Sequence, residues 1–186
     1  FPWLQDRQGV RNAPRLPDRI DVKPIMKFIS FDPSLANCGW VSVGIYDGEI
    51  RPVHSGVIRS TWTDQGLLEP IFQAVGLTQL VGDVLGLVDP ELVLVEMPPV
   101  RRPNMERESS LLACTAVAMA ASEHGLRVVG VSAQKAKRSL TGFANAKKPV
   151  VREAFLAKWP MHRASVTNEH TRDAWLLAWE WWTNEQ

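Results

Sequence analysis

Two short apolar runs in this chain each stop at a carboxylate with proline close behind. Phe28-Ile29-Ser30-Phe31 stops at Asp32 and Pro33; Leu92-Val93-Leu94-Val95 stops at Glu96, with Pro98 and Pro99 following. Aromatic and branched residues suit a pleated strand, and a continuous apolar run predicts a strand covered on both faces. Proline lacks the donor that a ladder requires, so each strand ends at or just after its acid. A carboxylate at the end of a buried strand needs a partner, because burying an unpaired charge is costly. Asp32 alone reads either as a turn residue closing a strand or as a metal-binding acid. Recurrence of the pattern at Glu96 is unusual for solvated turn residues.

The segments between these runs set the fold class. Gly39 lets the chain double back into a second strand over 40–46, and Asp47-Gly48 is a hairpin turn. A third strand over 49–59 places Val53, Ser55, Val57 and Arg59 on one side, completing an antiparallel meander. Over 67–88, Leu68, Ile71, Phe72, Val75, Leu80, Val84 and Leu87 recur at helical spacing, while Gly76, Gly82 and Gly86 predict a break within the helix. The alanine-rich stretch 109–123 predicts a closely packed helix closed by Gly125, followed by a fifth strand over 126–131. The order β-β-β-α-β-α-β is an α/β arrangement with parallel crossovers. A last helix starts at Thr167 or Asn168, both good caps, and runs through Trp182. Its Trp175, Trp179, Trp181 and Trp182 are expected to pack on the body or on a second subunit.

A chain of 186 residues holds one domain, placed at 26–186. Residues 1–25 carry Pro2, Pro14, Pro17 and Pro24 without periodicity and read as a flexible extension. Cys38 and Cys114 form no metal-binding spacing, which points to reduced, structural thiols in a cytoplasmic protein. No apolar run reaches membrane-spanning length on this reading, so no membrane partner is expected. A net charge of +1 does not by itself announce nucleic acid. The charge is uneven, however. Arg127, Lys135, Lys137, Arg138, Lys147, Lys148, Arg152, Lys158 and Arg163 face only Glu153 over 127–163, and they surround the turn Thr141-Gly142-Phe143-Ala144-Asn145. Such a turn suits a clamp on a phosphate backbone.

Asp32, Glu96 and Asp173 each sit at an end of a predicted element, with His170 on the same helix face as Asp173. His170 and Asp173 also read as ordinary helix-start residues. Acids gathered at one point raise one another's pKa unless a cation lies between them. Carboxylate oxygens are what Mg²⁺ or Mn²⁺ prefers, and paired ions of this kind hydrolyse phosphodiesters.

Four segments, FDPSLANCGW, VLVE, SAQKAKRSLTGFANAKK and HTRDAWLLA, occur in this order and resemble RuvC-type Holliday junction resolvases of the RNase H-like superfamily, over roughly 26–178. The resemblance implies an α/β RNase H-like fold, with a central five-stranded mixed sheet of three antiparallel strands and then parallel ones, flanked by helices. It also implies a homodimeric endonuclease that resolves four-way DNA junctions by paired, Mg²⁺- or Mn²⁺-dependent nicks, without a nucleotide cofactor. Asp32, Glu96, His170 and Asp173 match its catalytic, metal-binding positions, histidine being a variant of an acidic pair. Lys137 and Lys148 match basic residues near the scissile phosphates, and Lys135, Arg138 and Lys147 are expected to extend the DNA contact. The chain departs from the family after the glutamate, where aromatic residues usually help open the junction. Met97-Pro98-Pro99-Val100 stands there instead, followed by Arg101 and Arg102, which are expected to contact DNA. That divergence and the tryptophan-rich helix suggest a phage or mobile-element relative. One alternative is a non-catalytic junction-binding module on the same fold. The other is an actin- or sugar-kinase-like ATP-binding protein, but that needs a glycine-rich loop where Pro33-Ser34 stands and a second lobe.

Overall fold

The apolar run around Phe28 becomes β1 (Lys27–Asp32), the middle strand of the sheet. The computed structural model describes residues 24–59, 68–98, 105–160 and 168–185; most of the expected extension, and Arg101 and Arg102, lie outside them. After β1 come β2 (Asn37–Tyr46), β3 (Glu49–Arg59), α1 (Glu69–Val88), β4 (Leu92–Glu96), α2 (Met105–Glu123), β5 (Arg127–Val131), α3 (Ala133–Thr141), α4 (Lys148–Lys158) and α5 (Glu169–Glu185). The five strands lie in the order β3-β2-β1-β4-β5. β1, β2 and β3 pair antiparallel, whereas β4 pairs parallel with β1 and β5 parallel with β4. This is the mixed sheet expected from the sequence.

A central strand is buried on both faces, and β1 divides its side chains between two cores. Ile29 and Phe31 pack with Leu77, Val81 and Val84 of α1 and with Ala113 and Val117 of α2. Phe28 packs on the opposite face with Ala136 of α3, Phe155 of α4 and Trp175 of α5. The hairpin between β2 and β3 turns through Asp47 (φ 52°) and Gly48 (φ 80°), the paired positive φ values of a tight type I′ turn.

Several elements depart from the sequence reading. β2 begins at Asn37, three residues earlier than expected, because its pairing with β1 runs on to Gly39 and with β3 to Arg59. In β3 the side chains do not alternate evenly: Ser42 pairs with His54 and Val43 with Pro52, so Val53 is an extra residue that flips the phase of the strand. Val53 therefore does not share its face with Ser55 and Val57 as plain alternation predicts. α2 starts at Met105, four residues before the predicted Ser109.

α1 runs unbroken through Gly76, Gly82 and Gly86. Its buried Leu77, Val81, Val84, Leu85 and Val88 each contribute about 1.5–3 kcal/mol on burial. That outweighs about 1 kcal/mol lost per helical glycine. By length and composition α1 is also capable of crossing a membrane, which overturns the expectation that no apolar run reaches that length. Here that apolar character lays one side of the helix against the sheet and α2.

The tryptophans of α5 pack on the body. Trp175 is fully buried, Trp159 meets the rings of Trp175 and Trp179 at 5.8 and 5.3 Å, and Trp181 packs edge-on against Phe28 at 5.1 Å. This anchors α5 along the sheet, and its first turn closes over Gly39, where an added Cβ would strike the His170 backbone. By contrast, Gly86 is exposed and a Cβ there meets only the His124 ring, at 3.9 Å. Gly39→Ala is therefore expected to destabilise the protein by about 1–3 kcal/mol through overpacking. Gly86→Ala should stabilise it by about 0.5–1 kcal/mol by stiffening the unfolded chain. Urea unfolding of both variants checks these opposite signs.

Candidate active site

β1 and β4 are parallel neighbours, and the register that pairs Phe31 with Val95 carries Asp32 and Glu96 off adjacent strand ends together. Ligand sites of open α/β sheets gather at this carboxyl edge. Asp32 and Glu96 follow Ser30 and Leu94 by two residues, so both acids point to the face covered by α5. Gly39 lies opposite Asp32 in the β1–β2 ladder, and its missing side chain is the space the start of α5 enters. Asn168 caps that start: its Oδ1 accepts the His170 N–H at 2.9 Å, and its carbonyl accepts the Thr171 hydroxyl at 2.9 Å. Of the two expected cap residues, Asn168 makes these bonds, and Thr167 lies outside the described residues.

The electrostatics are those of acids in close quarters. His170 Nδ1 lies 3.1 Å from Asp32 Oδ2, with Asp32 only 16% exposed. The hydrogen bond to Asp32 is the main cause of a raised His170 pKa; partial burial opposes it, and the charges of Asp32, Glu169 and Asp173 reinforce it. Burial, then a hydrogen bond with Asp32 and the Asp32 charge, push Glu96 up to about 8, with Lys137 pulling the other way. Burial and the Asp32 charge push Asp173 up to about 6, against the opposing charges of Lys137 and Arg172. Lys137, in α3, lines a small cavity with Glu96 and Asp173, floored by Ala133, Ala136, Leu176 and Leu177. A second cleft across Asp173 is lined by Lys137, Lys148, Val151, Glu169 and Arg172.

Thus Asp32, Glu96, His170, Asp173 and Lys137 come together. Lys148 lies beside them but is held by an ion pair with Glu169, which raises its pKa. Lys135, Arg138 and Lys147 are exposed on the outer side of the same α3–α4 segment. Among the described residues, no three His, Cys, Asp or Glu side chains are drawn into a ready-made metal cage. Glu96 and Asp32 hydrogen-bond to each other instead.

Sequence reasoning missed Gly39, Glu169 and Arg172. Glu169 and Arg172 flank His170 and Asp173 in the same helical turn, so helical spacing held the signal. Gly39 was legible only as a turn former. Cys38 and Cys114 are free, as expected. Cys38 is buried and its thiol is pushed well up, mainly by burial; Cys114 is pushed up to about 12 for the same reason, and its thiol donates to the Glu96 carbonyl at 3.1 Å.

No family model matches the chain, and no curated protein matches it by sequence. Solved structures do. The chain is similar to Thermus thermophilus RuvC in complex with a Holliday junction substrate, at 24% identity and a TM-score of 0.67 over 83% of this chain and 92% of that one. The chain has the RuvC fold. It is also similar to the yeast mitochondrial Holliday junction resolvase, at 15% identity and a TM-score of 0.58 over 87% and 79% of the two chains. The fowlpox virus Holliday junction resolvase matches at 11% identity and a TM-score of 0.53 over 86% and 99%. On this RuvC fold the acids occupy the ends of the two central parallel strands and the first turn of the last helix.

The raised pKa values fix a sign for stability against pH. Glu96 (ordinarily 4.5, here about 8), Asp173 (ordinarily 3.8, here about 6) and His170 all bind protons more tightly when folded. Each contributes stability that is fully present below its ordinary pKa and lost as pH rises through the folded value. In EDTA, Tm is expected to fall by about 5 °C between pH 5 and 8, and Glu96→Gln should flatten most of that slope. A thermal melt series across pH measures it.

Proposed function

We propose that this chain is a structure-specific endonuclease that resolves four-way DNA junctions by divalent-metal-dependent phosphodiester hydrolysis, acting as a homodimer that makes paired nicks. One observation carries this reading: Asp32, Glu96 and Asp173 converge with His170 and Lys137 at the carboxyl edge of a RuvC fold. That same fold occurs in a RuvC solved with a Holliday junction substrate.

The donor set fits a hard divalent cation. Acids whose pKa values are pushed up by burial and then by neighbouring like charge are acids that a cation would relieve. Asp32, Glu96 and Asp173 would hold Mg²⁺ or Mn²⁺ through oxygen, and His170 would add a nitrogen. When bound, the ion polarises the scissile phosphate and lowers the pKa of a water. In the neutral imidazole, an Nδ1 proton donated to Asp32 Oδ2 would leave the Nε2 lone pair to ligate or to take a proton. Lys137, between Glu96 and Asp173, places a fixed positive charge where negative charge grows on the phosphate oxygens. The exposed Lys135, Arg138 and Lys147 suit contacts to the flanking backbone, which position the substrate without reading its sequence.

The homodimer is supported by an apolar stripe left in water at the start of α1, with Leu68 at its N-cap and Ile71 and Val75 within it exposed, and by exposed Leu111 and Met119 on α2. Stripes of this kind suit a second subunit.

Cleavage of an end-labelled four-way junction with and without Mg²⁺ tests the proposal. Asp32→Asn and Asp173→Asn are expected to abolish cutting in Mg²⁺ while junction binding in Ca²⁺ persists. Near wild-type nicking by either variant would overturn the assignment. Lys137→Ala should lower the slope of log K against log salt by about one unit. Binding titrations at several salt concentrations read that slope.

A further inference from the structure

Phe143 is an aromatic side chain held out into water by a locked backbone. It is 71% exposed. Its N–H donates to Thr141 Oγ1 at 3.2 Å, and its carbonyl accepts the Ala146 N–H at 3.2 Å. The Thr141 hydroxyl lies 3.1 Å from the Phe143 carbonyl and 2.7 Å from that of Lys137. Gly142, at φ 81°, ends α3 with its N–H donating to the Arg138 carbonyl at 2.7 Å. A single exposed phenylalanine is ordinary on a protein surface. One presented by a turn whose amide and carbonyl are both engaged has little order left to lose on binding.

The position of the turn identifies its partner. Residues 142–147 form an excursion whose two feet both stand on the carboxylate cluster. Lys137 lines the cavity with Glu96 and Asp173, and Lys148 lines the cleft on the other side of Asp173. Exposed Arg138 and Lys147 stand on either side of the turn in the chain, and no carboxylate occurs between Glu123 and Glu153. A partner must therefore offer a flat apolar face set within an anionic chain, as a nucleobase does between its phosphates. Phe143 follows Lys137 by one helical turn and two further residues, a reach on the order of 10 Å. That spans about three nucleotides at the axial rise of one DNA strand.

We propose that Phe143 stacks on an unpaired base of the bound strand, about three nucleotides from the phosphate held at the carboxylate cluster. This rests on the reading of that cluster as a DNA-cutting site. The stack would set which position along a branched substrate presents its phosphate to the acids, so Phe143 would position the substrate.

The experiment uses the full chain in Ca²⁺, with four-way junctions carrying 2-aminopurine singly at each nucleotide around the exchange point. The wild type is expected to change the fluorescence at one position, and Phe143→Ala to lose that change. Its affinity for the junction should fall about tenfold, the loss of one stacked base, with the salt slope and melting temperature unchanged. Phe143→Trp should restore both affinity and the fluorescence signal. Phe143→Ala binding within about twofold of wild type, or weakening with a flattened salt slope, would overturn the stacking role and leave the functional reading standing. A wild type that binds no branched DNA would overturn both.

Discussion

Three carboxylates that repel one another are held at one point, and much of the architecture answers that repulsion. Two unit charges 4 Å apart at a protein surface interact by about 4 kcal/mol, too much for flexible segments to sustain. Each acid accordingly has its own means of relief. Asp32 bonds the His170 ring, Glu96 keeps its proton and bonds Asp32, and Asp173 lies within the fields of Lys137 and Arg172. The tension is greatest at Glu96, the most shifted of the carboxylates. A cation would replace all three forms of relief at once.

Rigid elements hold the cluster against that repulsion. Asp32 and Glu96 are the last residues of two paired parallel strands, so their separation is set by the ladder. α5 brings the other half of the site, and its placement depends on features at both of its ends. Near its C-terminal end, Trp181 packs on Phe28, and further back Trp175 is buried against Trp159. At the other end, Asn168 satisfies the first turn, and Gly39 leaves room for the His170 backbone beside Asp32. The tryptophans thus fix where His170 and Asp173 stand.

Much of this was legible in the residues. The five strands, the Asp47-Gly48 hairpin and the four converging side chains follow from apolar runs, turn formers and the placing of acids at element ends. These are local signals, because a strand ending before proline or a turn needing positive φ is decided within a few residues. The exceptions were non-local. The bulge at Val53 depends on how β3 meets β2, and the continuity of α1 through its glycines depends on the core that buries Leu77, Val81 and Val84. Local propensity argues for a break in α1, and tertiary burial outweighs it.

By itself, then, the sequence determined which elements form and which of them carry the acids and the histidine that converge. Asp32, Glu96, His170 and Asp173 each mark the end or the start of an element that their neighbours specify. Only the tertiary structure decided how these groups divide the work. It set Lys137 between two acids while leaving Lys135 and Arg138 in solvent, tied Lys148 to Glu169, and turned Gly39 from a turn residue into the seat of α5. The reason is physical: pKa, ion pairing and steric fit depend on through-space distances between segments far apart in the chain. His170 and Asp32, 138 residues apart, share one hydrogen bond, and no local pattern encodes it.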